Sequence, residues 1–140
     1  MKQQILFLCV HNACRSQMAQ AFVNQMAGDR FEAFSAGLEK GVIDPFTIQV
    51  MEEIGYDLEG HHSKLVDQYL SKEHLHYLVT VCQKAEDKCP TVWPGLLNER
   101  LYWPFDDPAD AEGSDGERLE VFRRVRDEIK EKVEEFLATH

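Results

Sequence analysis

A cysteine at residue 9 and an arginine at residue 15, joined by a short loop, can hold an oxyanion against a thiolate. The segment reads Cys9-Val10-His11-Asn12-Ala13-Cys14-Arg15-Ser16 and follows the apolar run Ile5-Leu6-Phe7-Leu8. Stretched out, the five intervening residues would span about 17 Å, so the loop must curl for both ends to serve one ligand. A curled loop of this length can point the successive N–H groups of residues 10 to 16 inward as an anion nest. A helix opening near Cys14 adds its positive end, and the Arg15 guanidinium offers a planar fork to two oxygens of a tetrahedral anion. The same field is expected to lower the pKa of Cys9. Ser16 is placed to donate to the thiolate, and Asn12 to tie the loop through its amide.

Further along stand Cys82, Cys89 and the Asp107-Pro108 pair. With the first loop they point to redox chemistry on an oxyanion. Plainer readings exist for each residue. A cysteine ending a buried strand is often only a small apolar side chain. Asp107 alone reads as a solvated turn aspartate. Cys82 and Cys89 read as two unrelated thiols, or as zinc ligands with His74 or His76, although no Cys-x2-Cys pair supports a metal. The strand–loop–helix context of Cys9 decides for the functional reading.

Those residues need elements to position them. Gln4 to Cys9 reads as a buried strand. Arg15 to Ala27 reads as a helix with Met18, Ala21, Phe22 and Met26 on one side. Phe31 to Ala36 alternates as a second strand, stopped by Gly37. Pro45 to Ile54 reads as a helix with Ile48 and Met51 inward, and Val66 to Leu70 as a short helix. Leu75 to Val81 gives a third strand, and Arg100 to Trp103 a weak fourth closed by Pro104. Leu119, Phe122, Val125, Ile129, Val133 and Phe136 form the stripe of a last helix, with Ser114 and Glu117 spaced as a capping box at its start. Gln83 to Lys88 is polar and helix-compatible. Strands alternating with helices predict an α/β fold with a parallel sheet covered on both faces. Ligands in such folds bind at the carboxyl ends of strands. Cys9, Cys82 and the Asp106-Asp107 pair all follow strand ends and are expected on one edge.

The 140 residues are read as one domain, residues 1–140, large enough for a substantial core. The formal net charge of −10 disfavours nucleic acid and anionic membranes as partners, and it means that any anion site must be made locally. No run approaches the roughly 18 apolar residues of a membrane span, and the N-terminal apolar run is too short for a signal peptide. The expectation is a cytoplasmic monomer whose thiols are kept reduced, with no cofactor and no metal site.

The run Ile5 through Ala19, with its Cys9-x5-Arg15-Ser16 core, resembles the low-molecular-weight protein tyrosine phosphatases. Cys14-Arg15-Ser16-Gln17-Met18-Ala19 is similar more narrowly to the thioredoxin-coupled arsenate reductases built on that fold, since the phosphatases usually carry proline where Gln17 stands. Ser35-Ala36-Gly37, His62-Ser63, Cys82, Cys89 and Trp103-Pro104-Phe105-Asp106-Asp107-Pro108 extend the resemblance over nearly the whole chain, and it implies an α/β fold in three layers, a four-stranded parallel sheet flanked by helices on both faces. The sequence departs from it at His11, where phosphatases commonly have glycine, and at Ala13, a frequent serine. Some such reductases bind potassium near the loop through acidic side chains; Gln20 and Lys64 stand where those acids are expected, so that site is not carried over.

The resemblance implies that Cys9 attacks arsenic(V) while Arg15 and the amides of Val10, His11, Asn12, Ala13, Cys14 and Ser16 hold the oxygens. It implies Asp107 as general acid, with Pro108 restricting its backbone. Cys82 then takes Cys9 into a disulfide, Cys89 takes Cys82, and thioredoxin reopens the last bond. On a continuous helix, residues seven apart lie about 10.5 Å apart, whereas a disulfide needs roughly 4.4–6.8 Å between Cα atoms. The Cys82–Cys89 segment is therefore expected to unwind on oxidation. Two rivals stand beside this reading. One is a tyrosine phosphatase using Cys9, Arg15 and Asp107 with no role for Cys82 or Cys89. The other is a non-catalytic redox sensor switched by that pair.

Overall fold

The computed structural model describes residues 2–69, 74–88 and 96–140. Four strands, β1 (Gln3–Cys9), β2 (Phe31–Gly37), β3 (His74–Thr80) and β4 (Leu96–Tyr102), form one sheet in the order β2-β1-β3-β4, with every pairing parallel. The helices are α1 (Arg15–Ala27), α2 (Pro45–Glu52), α3 (Gln83–Lys88) and α4 (Asp115–Thr139). Ile5 to Cys9 of β1 are all buried although successive side chains point to opposite faces, so both faces of the sheet are covered at its centre. This is the expected α/β architecture.

Register decides where the chemistry gathers. Cys9 pairs with Gly37, Leu8 with Thr80 and Thr80 with Tyr102, so all four strands end at one level. Cys9, Cys82 and the segment 103–108 leave the sheet from that edge. Val81 N–H continues the ladder to Leu8 O at 3.0 Å, and Phe105 N–H reaches Val81 O at 3.2 Å, which carries the Asp107 segment back over Cys82.

Several boundaries moved. β4 begins at Leu96, four residues before the expected start, because Leu97 pairs with Leu75 despite the polar Asn98-Glu99-Arg100 that follows. The expected Val66–Leu70 helix is a 3-10 turn over Val66–Gln68, and Leu70 lies outside the described residues. Ile48, expected inward, is 36% exposed: the buried stripe of α2 runs through Thr47, Val50 and Met51, and Ile48 falls beside it.

Caps and clamps hold the helices where the site needs them. Asp44 caps α2 by accepting from Phe46 N–H, with Pro45 in the first turn. Ser114 and Glu117 form the capping box of α4 in both directions. The nearly buried Arg126 of α4 donates to Val50 O at 2.9 Å and Glu53 Oε1 at 3.0 Å, fastening the carboxyl end of α2. Arg123 also reaches the Glu53 carboxylate, and these two guanidinium groups hold its pKa below the usual carboxylate value.

Candidate active site

The loop after β1 is pinned entirely from its outer side. Cys9 O accepts from Leu38 N–H at 3.1 Å, Val10 O from Glu39 N–H at 2.8 Å and Ala13 O from Asp44 N–H at 3.2 Å. His11 O accepts from Ser63 Oγ at 2.8 Å, and Asn12 O from Gln17 Nε2 at 3.2 Å. In a trans peptide the C=O and the next N–H point in opposite directions. Five outward carbonyls therefore turn the N–H groups of Val10, His11, Asn12, Ala13 and Cys14 toward the concave side, where Asn12 N–H meets Cys9 Sγ at 3.1 Å. Helix α1 starts immediately afterwards. Its first intrahelical bond is Met18 N–H to Cys14 O, and Cys14 gives no side-chain cap. The N–H groups of Arg15 and Ser16 thus add to the nest and carry the helix's positive end.

This close wrapping needs two glycines. A Cβ on Gly37 would sit 2.7 Å from Val10 O and 2.9 Å from Asn12 N, and one on Gly41 would sit 2.8 Å from His11 O. The left-handed turn falls at Asn12 (φ 54°), so His11 does not need the conformational freedom of the glycine it replaces. The Asn12 side chain holds that turn: Nδ2 donates to Ser16 Oγ at 2.7 Å, while Oδ1 accepts from Gln17 Nε2 and Lys64 N–H, each at 2.9 Å.

Cys9 is 3% exposed, and its sulfur lies 2.9 Å from Ser16 Oγ. The expected depression of its pKa is overturned. Burial pushes the thiol up, and this outweighs the lowering effects of the Ser16 hydrogen bond, the Arg15 charge and Asn12 N–H; a charge on Cys82 would raise it further. Desolvation is a tertiary quantity that the loop sequence does not carry. Cys14 is also buried, faces Thr47, and has its pKa pushed up to about 12 by the same cause.

The Arg15 guanidinium donates to Phe105 O at 3.0 Å and pairs with Asp107 Oδ2 at 3.4 Å. Asp107 Oδ1 accepts from Ala109 N–H at 3.0 Å, which aims the other oxygen at the loop. Pro108 opens a 3-10 turn directly after it. Asp106, the neighbouring carboxylate, points away to Arg124 at 3.2 Å. A small cavity of about 50 Å³ lies between Cys9, Cys14, Arg15 and Asp107, and a wider cleft of about 600 Å³ opens beside it toward Cys82, Tyr102 and Phe105. Cys82 is buried at the start of α3, where Ala85 N–H points at its sulfur at 3.4 Å. Cys89 lies outside the described residues.

The structure therefore gathers Cys9, the whole loop from Val10 to Ser16, Cys82 and Asp107 on one edge. Sequence reasoning quoted His62-Ser63 and Lys64 for the resemblance alone and gave residues 61 to 64 no part in holding the loop. Gln17 Nε2 also reaches His62 O at 3.0 Å, His61 Nδ1 meets Gln17 Oε1 at 3.2 Å, and Ser63 Oγ accepts from Gly41 N–H at 3.1 Å. The available signal was a glutamine in the first turn of a buried helix, a polar group that needs partners. Lys64 Nζ donates to His62 O at 3.0 Å and Ser35 Oγ at 3.4 Å, and Gln20 accepts from the same serine hydroxyl. An ammonium already takes these oxygens, so a potassium ion does not fit there.

Residues 4–140 match the family model for low molecular weight phosphotyrosine protein phosphatases. An arsenate reductase from Halalkalibacterium halodurans is 43% identical over 138 residues, covering 99% of this chain and 97% of that protein. A solved arsenate reductase in a phosphate-binding state superposes with a TM-score of 0.80 at 31% identity, covering 97% of each chain. A thioredoxin-dependent arsenate reductase from Corynebacterium glutamicum superposes with a TM-score of 0.66 at 25% identity, covering 99% of this chain and 64% of that one. A pinned thiol loop, an arginine and an aspartate at the carboxyl edge of a parallel sheet agree with these likenesses: the chain belongs to the low molecular weight phosphotyrosine protein phosphatase family, and its relatives within it include arsenate reductases.

Proposed function

We propose that this protein is an arsenate reductase that converts arsenate to arsenite through Cys9, Cys82 and Cys89. The supporting observation is the second sulfur. Cys82 stands near enough for a charge on it to act on Cys9 and lines the wider cleft that opens beside the Cys9 cavity, a feature for which a purely hydrolytic site has no use.

Arsenate enters the nest, and Arg15 and the loop N–H groups take its oxygens. The buried neutral thiol suits a dianionic substrate: Cys9 meets it without a second negative charge and passes its proton to an arsenate oxygen. Cys9 Sγ then attacks arsenic. Asp107, freed from Arg15 as the anion takes that partner, relays this proton to the arsenate hydroxyl that leaves, which departs as water. Cys82 attacks Cys9 Sγ, the S–As electron pair leaves with arsenic, and arsenite is released. Two electrons have passed from two thiols to arsenic, and a Cys9–Cys82 disulfide remains. Cys89 attacks Cys82, frees Cys9 and leaves Cys82–Cys89 oxidised. Thioredoxin, the reductant of one structural relative, is the proposed dithiol donor, and the reducing cytoplasm the proposed setting. No described helix is long and apolar enough to cross a membrane.

The test is arsenite production with thioredoxin and its reductase, followed by mass spectrometry of each Cys→Ser variant after one equivalent of arsenate. Cys82→Ser should abolish turnover, and Cys89→Ser should stop with Cys9 bonded to Cys82. Undiminished turnover of Cys82→Ser, with hydrolysis of aryl phosphates, would replace the reductase by the phosphatase.

A further inference from the structure

We propose that His61 is a positioning residue for Cys9, acting through Gln17, Asn12 and Ser16 along a one-way chain of hydrogen-bond donors that ends on the sulfur. The inference deepens the reading of Cys9 as nucleophile and rests on it.

The direction of the chain is set by backbone groups. Lys64 N–H can only donate, so the Asn12 atom it meets at 2.9 Å is Oδ1, and Nδ2 faces Ser16 Oγ at 2.7 Å. Asn12 O and His62 O can only accept, so the Gln17 atom between them is Nε2, which also donates to Asn12 Oδ1 at 2.9 Å. Gln17 is left to present Oε1 to His61 Nδ1 at 3.2 Å, and that ring nitrogen must carry the proton. At the other end Ser16 Oγ accepts from Asn12 and keeps one hydrogen to give to Cys9 Sγ at 2.9 Å, the direction that a thiolate requires. Each link polarises the next, so the chain lowers the cost of negative charge on the sulfur. The chain works against the burial that raises Cys9.

His61 is well placed to anchor it. The ring borders a separate cavity of about 150 Å³ with Tyr56, Asp57 and Asn24. Asp57, Lys64 and His62 are the charged or titratable groups that act on it, and burial together with Lys64 holds its pKa below the usual histidine value. A neutral ring carries one N–H, and the chain claims it at Nδ1.

The experiment is the pH profile of Cys9 alkylation by iodoacetamide, read by mass spectrometry. His61→Leu should move the profile to higher pH and slow alkylation on its rising limb about tenfold, the equivalent of one net hydrogen bond. His61→Asn, whose amide nitrogen stands where Nδ1 stood, should restore it. Coincident wild-type and His61→Leu profiles would overturn the proposal. A variant-free check is the nitrogen NMR of His61: a proton on Nδ1 with Nε2 bare is expected, and a proton on Nε2 alone refutes the chain. Arsenate takes no part, so the two readings fail separately: a shifted profile without arsenite formation sinks only the reductase, and arsenite formation with an unshifted profile sinks only the chain.

Discussion

At the scale of single residues, Asn12 carries the loop. It holds a left-handed backbone and spends every polar atom of its side chain on neighbours. Asn12→Gly keeps the conformation and loses the side chain, while Asn12→Ala loses the bonds and strains the backbone as well. Asn12→Ala should therefore unfold at lower urea, by about 1 kcal/mol relative to Asn12→Gly. Cys14 gives a second prediction. Its pKa is pushed up to about 12 by burial, so the fold favours the neutral thiol. Such a group contributes its full stability below the ordinary thiol value and loses it as pH rises from about 8.5 toward the folded value. Urea titrations above that threshold should show the wild type losing stability more steeply than Cys14→Ala. The identity of these residues was open in the sequence: Cys9-x5-Arg15, Ser16, Cys82 and Asp107-Pro108 all fall where spacing put them. The charge state of Cys9 was not, because helix ends and an arginine are visible in a sequence and the depth of burial is not.

At the scale of elements, α3 is the piece on which the proposed cascade bears. It is six residues long, and among the described residues Tyr102 donates to Gln83 at 2.8 Å, Thr80 donates to Glu86, and Arg100 pairs with Glu86 at 3.6 Å. Helices this short gain little from their own hydrogen bonds and depend on such tethers. If Cys82 and Cys89 join, these bonds should be given up, since residues seven apart on a continuous helix lie about 10.5 Å apart and a disulfide needs roughly 4.4–6.8 Å between Cα atoms. Amide chemical shifts and hydrogen exchange of residues 82 to 88 should change between reduced and oxidised protein, with faster exchange after oxidation. Unchanged spectra would count against the cascade. The sequence suggested this helix from composition alone. It placed β4 poorly, because a strand interrupted by the polar run Asn98-Glu99-Arg100 gains its start from pairing to β3 rather than from its own pattern.

At the scale of the molecule, the site is held by a frame that begins far from it. Ala13 O is pinned by Asp44 at the amino end of α2, and the carboxyl end of α2 is gripped by Arg126 of α4. Arg126→Met keeps most of the apolar stem but leaves Val50 O without its donor, and should cost about 1–3 kcal/mol in a urea titration. The net charge of −10 adds nothing to anion capture, so the nest works by local dipoles set into an unfavourable overall field.

By itself the sequence determined the alternation of strands and helices, the one edge where their ends meet, and the thiol, arginine and aspartate that gather there. These follow from local periodicity and from the rule that parallel strands end together. Tertiary structure alone decided how the loop is gripped and how its sulfur titrates. Gln17, His61 and Lys64 lie up to 52 residues from the loop atoms they or their neighbours hold. Contacts of that range, and the exclusion of water they bring, exist only once the chain has folded back on itself.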